Sequence, residues 1–319
     1  MIYDAFNGDA DGICALHQLR LADPRKTTLI TGVKRDIGLL KQIKAVAGDE
    51  VNALDIAVEK NIAVLTAMLE NGVKVRWFDH HNPGELPVHP NFAASIDTAA
   101  DVCTSLLVDR HLNGQHRSWA VVAAFGDNLH AAALAAAAPL NLSEAQLDQL
   151  RELGECLNYN GYGDSLADLH FHPADLYRQL RPYSDPFAFM RESVAFQTLS
   201  AGYAADMANA RACSPAEVRA SGAVFILPDA AWARRVSGVY ANDLATANPE
   251  RAHAMLTRAP NGHYVVSVRA PLSNKSGADE LCKRFDTGGG RKAAAGINVL
   301  PEERISDFIA AFHEAWSDG

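Results

Sequence analysis

Four of the five apolar runs in the first 130 residues end at or beside a carboxylate. Ile2 to Phe6 is followed by Asp9 and Asp11, Val51 to Ile56 carries Asp55 near its end, Val73 to Phe78 leads into Asp79, and Trp119 to Phe125 leads into Asp127; Thr28 to Val33 is the remaining run. Helix-like segments separate them. This alternation is the pattern of βα units feeding a mostly parallel, doubly wound sheet. Turns after such strands lie together at one edge of the sheet, so acids placed there converge. The chain is expected to be α/β, with a carboxylate-rich site at that edge.

The residues around these acids point to a divalent-metal site. Asp79 is followed directly by His80 and His81. Consecutive side chains at a strand end point in different directions, so one imidazole can bind metal while the other faces substrate and Asp79 orients a ring nitrogen. Asp9 and Asp11 are two residues apart in Asn-Gly-Asp-Ala-Asp-Gly, where their carboxylates can serve two neighbouring cations while Gly8 and Gly12 let the chain turn tightly. The competing reading of that motif is a cap for the helix Ile13 to Leu21. Asp55 is a charge within an apolar strand, costly to bury without a partner; at a strand end on the surface it would need none. Asp127 reads either as a ligand or as the N-cap of the alanine-rich helix that follows.

At 319 residues the chain exceeds one typical domain. It divides into a core at 1–130, a helical bridging region at 131–214 and a smaller unit at 215–319. The bridging region is rich in Ala, Leu, Glu and Gln, and Asn141 or Ser143 is placed to cap a helix there. In the last unit Val224 to Leu227, Ala254 to Arg258 and Tyr264 to Arg269 read as strands, with Pro260-Asn261-Gly262 as a hairpin turn. A formal charge of −9 argues against a protein that coats long nucleic acid, because such binding rests on many Lys and Arg contacts to phosphates. Five scattered cysteines with no Cys-x-x-Cys pair read as reduced thiols. No apolar run nears the roughly 18 residues of a membrane span. A cytoplasmic protein without membrane contact is expected, and a homodimer is left open. His170 and His172 read as loop residues, and His17 as a first-helix residue near the site.

Asp-Ala-Asp-Gly, the strand-end Asp55, Asp-His-His and the later Gly126-Asp127, in that order, resemble the four motifs of the DHH phosphoesterase superfamily. The last unit resembles the DHHA1 domain, whose Gly-Gly-Gly-His and Ala-Ala-Gly correspond to Gly288-Gly289-Gly290-Arg291-Lys292 and Ala294-Ala295-Gly296. The resemblance implies a DHH catalytic domain joined by a helical linker to a smaller α/β DHHA1 domain. It implies one metal at Asp11, Asp55, His80 and Asp127, a second at Asp9 and Asp55, and His81 on the scissile phosphate beside Asp79. Manganese is the usual ion, and magnesium or cobalt could serve. Substrate would be held by Arg269, in a segment like the family's Ser-Leu-Arg, and by Gly288, Gly289, Gly290, Arg291 and Lys292.

Two departures stand out. Ala5 occupies the position where many relatives have a His, which weakens the second metal site. Arg291 replaces the DHHA1 His, exchanging a titratable imidazole for a fixed charge with planar donors suited to phosphate.

The function so implied is metal-dependent hydrolysis of a short nucleotide, a dinucleotide such as pGpG or a very short oligonucleotide, by an activated water. The alternatives are a single-strand exonuclease of the RecJ branch, which the first motif resembles most, and a 3′-phosphoadenosine 5′-phosphate phosphatase. A non-catalytic nucleotide sensor is the alternative of another class. Against it stand the acids themselves, which repel one another without cations.

Overall fold

Period-two patterning builds the first sheet. In the computed structural model, which describes residues 1–317, β1 (Ile2–Phe6), β2 (Thr28–Ile30), β3 (Glu50–Leu54), β4 (Lys74–Asp79) and β5 (Phe92–Ile96) form a wholly parallel sheet in the order β2-β1-β3-β4-β5. Tyr3, Ala5, Val51, Ala53, Val75 and Trp77 enter one apolar cluster with Leu65, Met68 and Leu69 of α2 (Ile62–Glu70). The residues between them face the other way, where α1 (Ala10–Ala22) and α3 (Thr104–His111) pack on the strands and α4 (Arg117–Gly126) packs on both helices. The sheet is doubly wound, as expected.

The run Trp119 to Phe125, expected as a strand, is helical: it lies within α4, where every residue from Trp119 to Gly126 is buried. A helix buried on all sides has no polar face, so periodicity cannot separate it from a buried strand. Its alanines, Ala120, Ala123 and Ala124, favour the helix. Conversely β5 went unseen because its middle residues are exposed and weakly apolar.

The helical stretch continues with α5 (His130–Ala137), α6 (Glu144–Gly161), α7 (Pro173–Leu180), α8 (Pro186–Glu192) and α9 (Val194–Ala212). Ser143 caps α6 in a reciprocal box with Gln146, and His172 accepts the Ala174 N–H at the start of α7, where Pro173 needs no donor. His170 bonds the Tyr159 hydroxyl at 2.7 Å.

The chain forms two compact units, Met1–Gly202 and Tyr203–Gly319. The second holds a six-stranded sheet in the order β10-β11-β9-β8-β7-β6, made of β6 (Glu217–Arg219), β7 (Gly222–Leu227), β8 (Ala252–Arg258), β9 (Tyr264–Arg269), β10 (Gly288–Arg291) and β11 (Ala294–Leu300). β7 and β8, joined through α10 (Ala231–Ala247), are parallel, and the other pairs are antiparallel. The β8–β9 hairpin turns at Gly262, whose φ of +81° explains the Asn-Gly sequence. α11 (Ala278–Cys282) and α12 (Ile305–Ala315) cover one face through Leu281, Phe308 and Phe312. All five cysteines are free, and no helix among the described residues is long and apolar enough to cross a membrane.

Candidate metal centre

The carboxyl ends of β1 and β3 flank the point where the strand order reverses, the crevice in which open parallel sheets hold ligands. Seven of the residues singled out from the sequence meet there: Asp9, Asp11, Asp55, Asp79, His80, His81 and Asp127. Asp9, Asp11, Asp55 and Asp79 are each at most 2% exposed.

Their surroundings differ. Asp9 caps α1, its Oδ1 accepting the N–H groups of Asp11 and Gly12 at 3.1 Å each, so the capping reading of the motif holds for one of its oxygens. Gly8 and Gly12 serve by lacking a Cβ rather than by a special φ: a Cβ on Gly8 would lie 2.0 Å from the Gly32 carbonyl oxygen, and one on Gly12 2.2 Å from that of Asn7. Asp11 accepts the N–H of Thr104 at 2.7 Å and of Ser105 at 2.6 Å, at the positive end of α3. Both acids have strong donors.

Asp55 and Asp127 are placed less favourably. Asp55 follows β3 in a left-handed conformation, φ +58°, which Asp tolerates better than most residues. Its Oδ1 has a 3.3 Å hydrogen bond from Thr104 Oγ1. Burial, then the neighbouring carboxylates of Asp11 and Asp9, push its pKa well above the usual range. Asp127 is the C-cap of α4, not an N-cap, so it faces the negative end of a helix. Burial, with Asp11 and Asp9, pushes it up to about 7. A cation would relieve both.

The histidines are oriented for separate tasks. His80 Nδ1 lies 2.8 Å from the Val102 carbonyl oxygen, which requires the proton on Nδ1 and leaves the Nε2 lone pair free. That Nε2 is 3.4 Å from Asp55 Oδ1 and 4.0 Å from Asp127 Oδ2. Adjacent or opposite ligands about 2.1 Å from one ion lie about 3 to 4.2 Å apart, so the imidazole nitrogen is spaced from each of these two oxygens as co-ligands of a hard divalent cation are, and Asp55, His80 and His81 offer ligand atoms that all lie within 4.8 Å of one another. His81 Nδ1 donates to Asp79 Oδ1 at 2.7 Å, and that bond, ahead of the opposing burial, raises its pKa. The ring is half-exposed, and Asp79 also receives the His80 N–H on the same oxygen at 2.9 Å. Asp79 Oδ2 is buried without a partner.

Lys34, Thr104 and Ser105 complete the site and were missed in the sequence. Lys34 Nζ is 2.6 Å from Asp9 Oδ2 and 3.4 Å from Asp127 Oδ1. Burial alone works against the Asp9 carboxylate, but Lys34 and the Gly12 N–H outweigh it and hold its pKa below the ordinary value. A basic residue just past an apolar run was the available signal for Lys34; Thr-Ser before Leu106-Leu107-Val108 was the signal for a helix start. Cys103 lies with Asp11 and Asp127 in a second group whose ligand atoms are all within 4.8 Å of one another, and burial, then Asp11 and Asp127, push its thiol well above its usual pKa. His17 turns away into the helical layer, edge-on to Trp119 at 4.7 Å, with Nε2 2.8 Å from the Tyr183 carbonyl oxygen.

In the second unit, Gly288 to Gly290 form strand β10 rather than an open loop, so part of their backbone hydrogen bonding goes to β11. Arg291, Ala294 and Arg269 pair directly across β10, β11 and β9, and Gly289, Gly296 and Ser267 form the adjacent row on the same face. The result is a floor of small side chains flanked by two guanidinium groups. Arg269 is anchored to Asn242 Oδ1 at 2.6 Å and to Ser267 Oγ at 2.8 Å, whereas Arg291 and Lys292 are exposed.

A family model for the DHHA1 domain matches residues 220–318. No curated protein matches the chain. Among solved structures, an exonuclease RecJ bound to manganese aligns at 18% identity and a TM-score of 0.64 over 100% of this chain and 90% of that one. RecJ with Mn2+ from Thermus thermophilus aligns at 20% identity and a TM-score of 0.63 over 99% of this chain, which spans only 52% of that protein. PggH, a pGpG-specific phosphodiesterase from Vibrio cholerae, aligns at 14% identity and a TM-score of 0.57 over the full length of both chains. At such identities the likeness is one of fold.

Proposed function

We propose that this chain, with a DHHA1 domain at its carboxyl end and the fold of the RecJ-type proteins, is a member of the DHH–DHHA1 phosphoesterase superfamily and a metal-dependent phosphodiesterase that hydrolyses short nucleotides, such as pGpG, to mononucleotides. One observation carries the reading: the buried Asp55 and the partly buried Asp127 are carboxylates with raised pKa values beside an imidazole whose free nitrogen faces both.

The residues that would hold two divalent ions, manganese foremost with magnesium or cobalt able to substitute, are Asp11, Asp55, His80 and Asp127 for one and Asp9 with Asp55 for the other. When bound, the ions supply an activated water and neutralise charge developing on the phosphoryl oxygens. The protein does the rest. Val102 holds His80 in the tautomer that offers Nε2. Asp79 fixes the His81 ring and favours its protonated form, so His81 Nε2–H is available to donate to a phosphoryl oxygen. In the DHHA1 unit, Arg291, Lys292 and the glycine floor would bind nucleotide, with Arg269 as a second clamp.

The end-to-end likeness to PggH supports a short substrate, as does the net charge of −9. The RecJ likeness favours a second reading, a single-strand exonuclease. Product analysis with Mn2+ on pGpG, pApA, longer single strands and 3′-phosphoadenosine 5′-phosphate decides between them. Release of mononucleotides from the dinucleotides is expected, abolished in Asp55→Ala and reduced ~10²–10⁴-fold in His81→Ala. Comparable cleavage of long strands would shift the case to the exonuclease, and nucleotide binding with no turnover of any substrate would leave a sensor.

A further inference from the structure

Lys34 stands where a cation would. Its ammonium lies 2.6 Å from Asp9 Oδ2, 3.4 Å from Asp127 Oδ1 and 3.2 Å from Asn158 Oδ1, and 5.5 Å from the centroid of the Tyr162 ring. Since Asp9 Oδ1 already accepts two N–H groups of α1, the lysine occupies the remaining oxygen. Asp127 is divided between its neighbours, with Oδ1 toward the ammonium and Oδ2 toward His80. Nothing on β1 tips the balance toward a second metal, because Ala5 offers no donor.

We infer that Lys34 serves as a built-in cation: one divalent ion binds tightly among Asp11, Asp55, His80 and Asp127, and a second reaches Asp9 only by displacing the lysine ammonium. The inference rests on the metal-dependent reading above. Charge supports it, since the lysine and one divalent ion together balance the carboxylates of Asp9, Asp55 and Asp127. The charge of Asp11, the remaining ligand of that ion, is offset by the two α3 N–H groups that hold it. So does ligand number, because a hard ion wants about six oxygen or nitrogen donors and Asp9 has none to spare while Lys34 is in place. The lysine makes the second site conditional on competition.

Mn2+ titration without substrate, followed by electron paramagnetic resonance of the free ion and by metal analysis of the desalted protein, tests this. Wild type should bind one ion tightly and a second at least about tenfold more weakly; Lys34→Gln should tighten the second by about tenfold or more, the scale of one lost ammonium–carboxylate contact. Lys34→Arg, which keeps the charge, should retain the wild-type pattern. In EDTA the thermal midpoint of Lys34→Gln should fall by several degrees and recover with Mn2+. Two equally tight ions in wild type would overturn the inference whether or not the variant folds, as would an unchanged second site in a folded Lys34→Gln. Wild type that binds no Mn2+ would overturn the metal-dependent reading itself, and this inference with it.

Discussion

Two places in the first sheet bury carboxylates, and they are wired in opposite ways. In the middle of β1, Asp4 is fully buried, and its oxygens accept from Arg20 at 2.6 and 2.9 Å and from Asn52 at 2.8 Å. Asp4, Asn52 and Arg76 lie in direct register across three strands, and Arg76 donates to Asn52 at 3.1 Å, so the row closes on itself. At the carboxyl edge, Asp55 and Asp127 share a crevice with Asp9 and Asp11, and Lys34 is the only lysine or arginine paired with any of them among the described residues. Burial of charge therefore does not mark a functional site. Incomplete pairing does, because it leaves a demand that only a bound cation meets.

Substitution should separate the two places. Asp4→Ala leaves Arg20 buried without its partner and should cost about 3–5 kcal/mol of stability, read by chemical denaturation, while the folded fraction keeps its turnover. Asp55→Asn should do the reverse, abolishing hydrolysis and raising the metal-free thermal midpoint. A metal-free Asp55→Asn less stable than wild type would break the comparison.

His17 supplies an intermediate case, a buried group that titrates without a charged partner. Burial lowers its pKa to about 3, against an unfolded value near 6.5. The unfolded chain therefore binds the extra proton between those values, so the stability that neutral His17 contributes is intact above about pH 6.5 and declines as the pH falls toward 3. The slope should be up to about 1.4 kcal/mol per pH unit. His17→Phe should flatten that limb, and an unchanged acid limb would show that other groups govern it. The smallest effect is expected in the second unit: Arg291→Ala should raise KM about tenfold, the scale of one charge-assisted hydrogen bond, with kcat unchanged. A fall in kcat instead would place chemistry, rather than binding, on the glycine floor.

The acids and histidines of the site were legible because each sits at or near the end of an apolar run, a local feature whether that run folds as a strand or, before Asp127, as a helix. Lys34 was not, since its pairing with Asp9 and Asp127 spans 25 and 93 residues of chain. Nor could the sequence rank the acids: that Asp11 is satisfied and Asp127 is not depends on which helix end each meets in three dimensions. The misread run at Trp119 and the strand at Gly288 share a cause. Complete burial erases a helix's polar face, and a glycine strand has no side chains from which to read alternation.

Residues 102–105 touch three members of the candidate metal centre at once: the Val102 carbonyl fixes His80, Thr104 and Ser105 hold Asp11, and the Thr104 hydroxyl reaches Asp55. These members come from three separate strand ends, so the centre is not assembled until the chain has run past β5 and begun α3. On an emerging polypeptide the acids would be synthesised long before the clasp that arranges them. An insertion of one residue ahead of Val102, harmless to either neighbouring element, would put all three contacts out of register together.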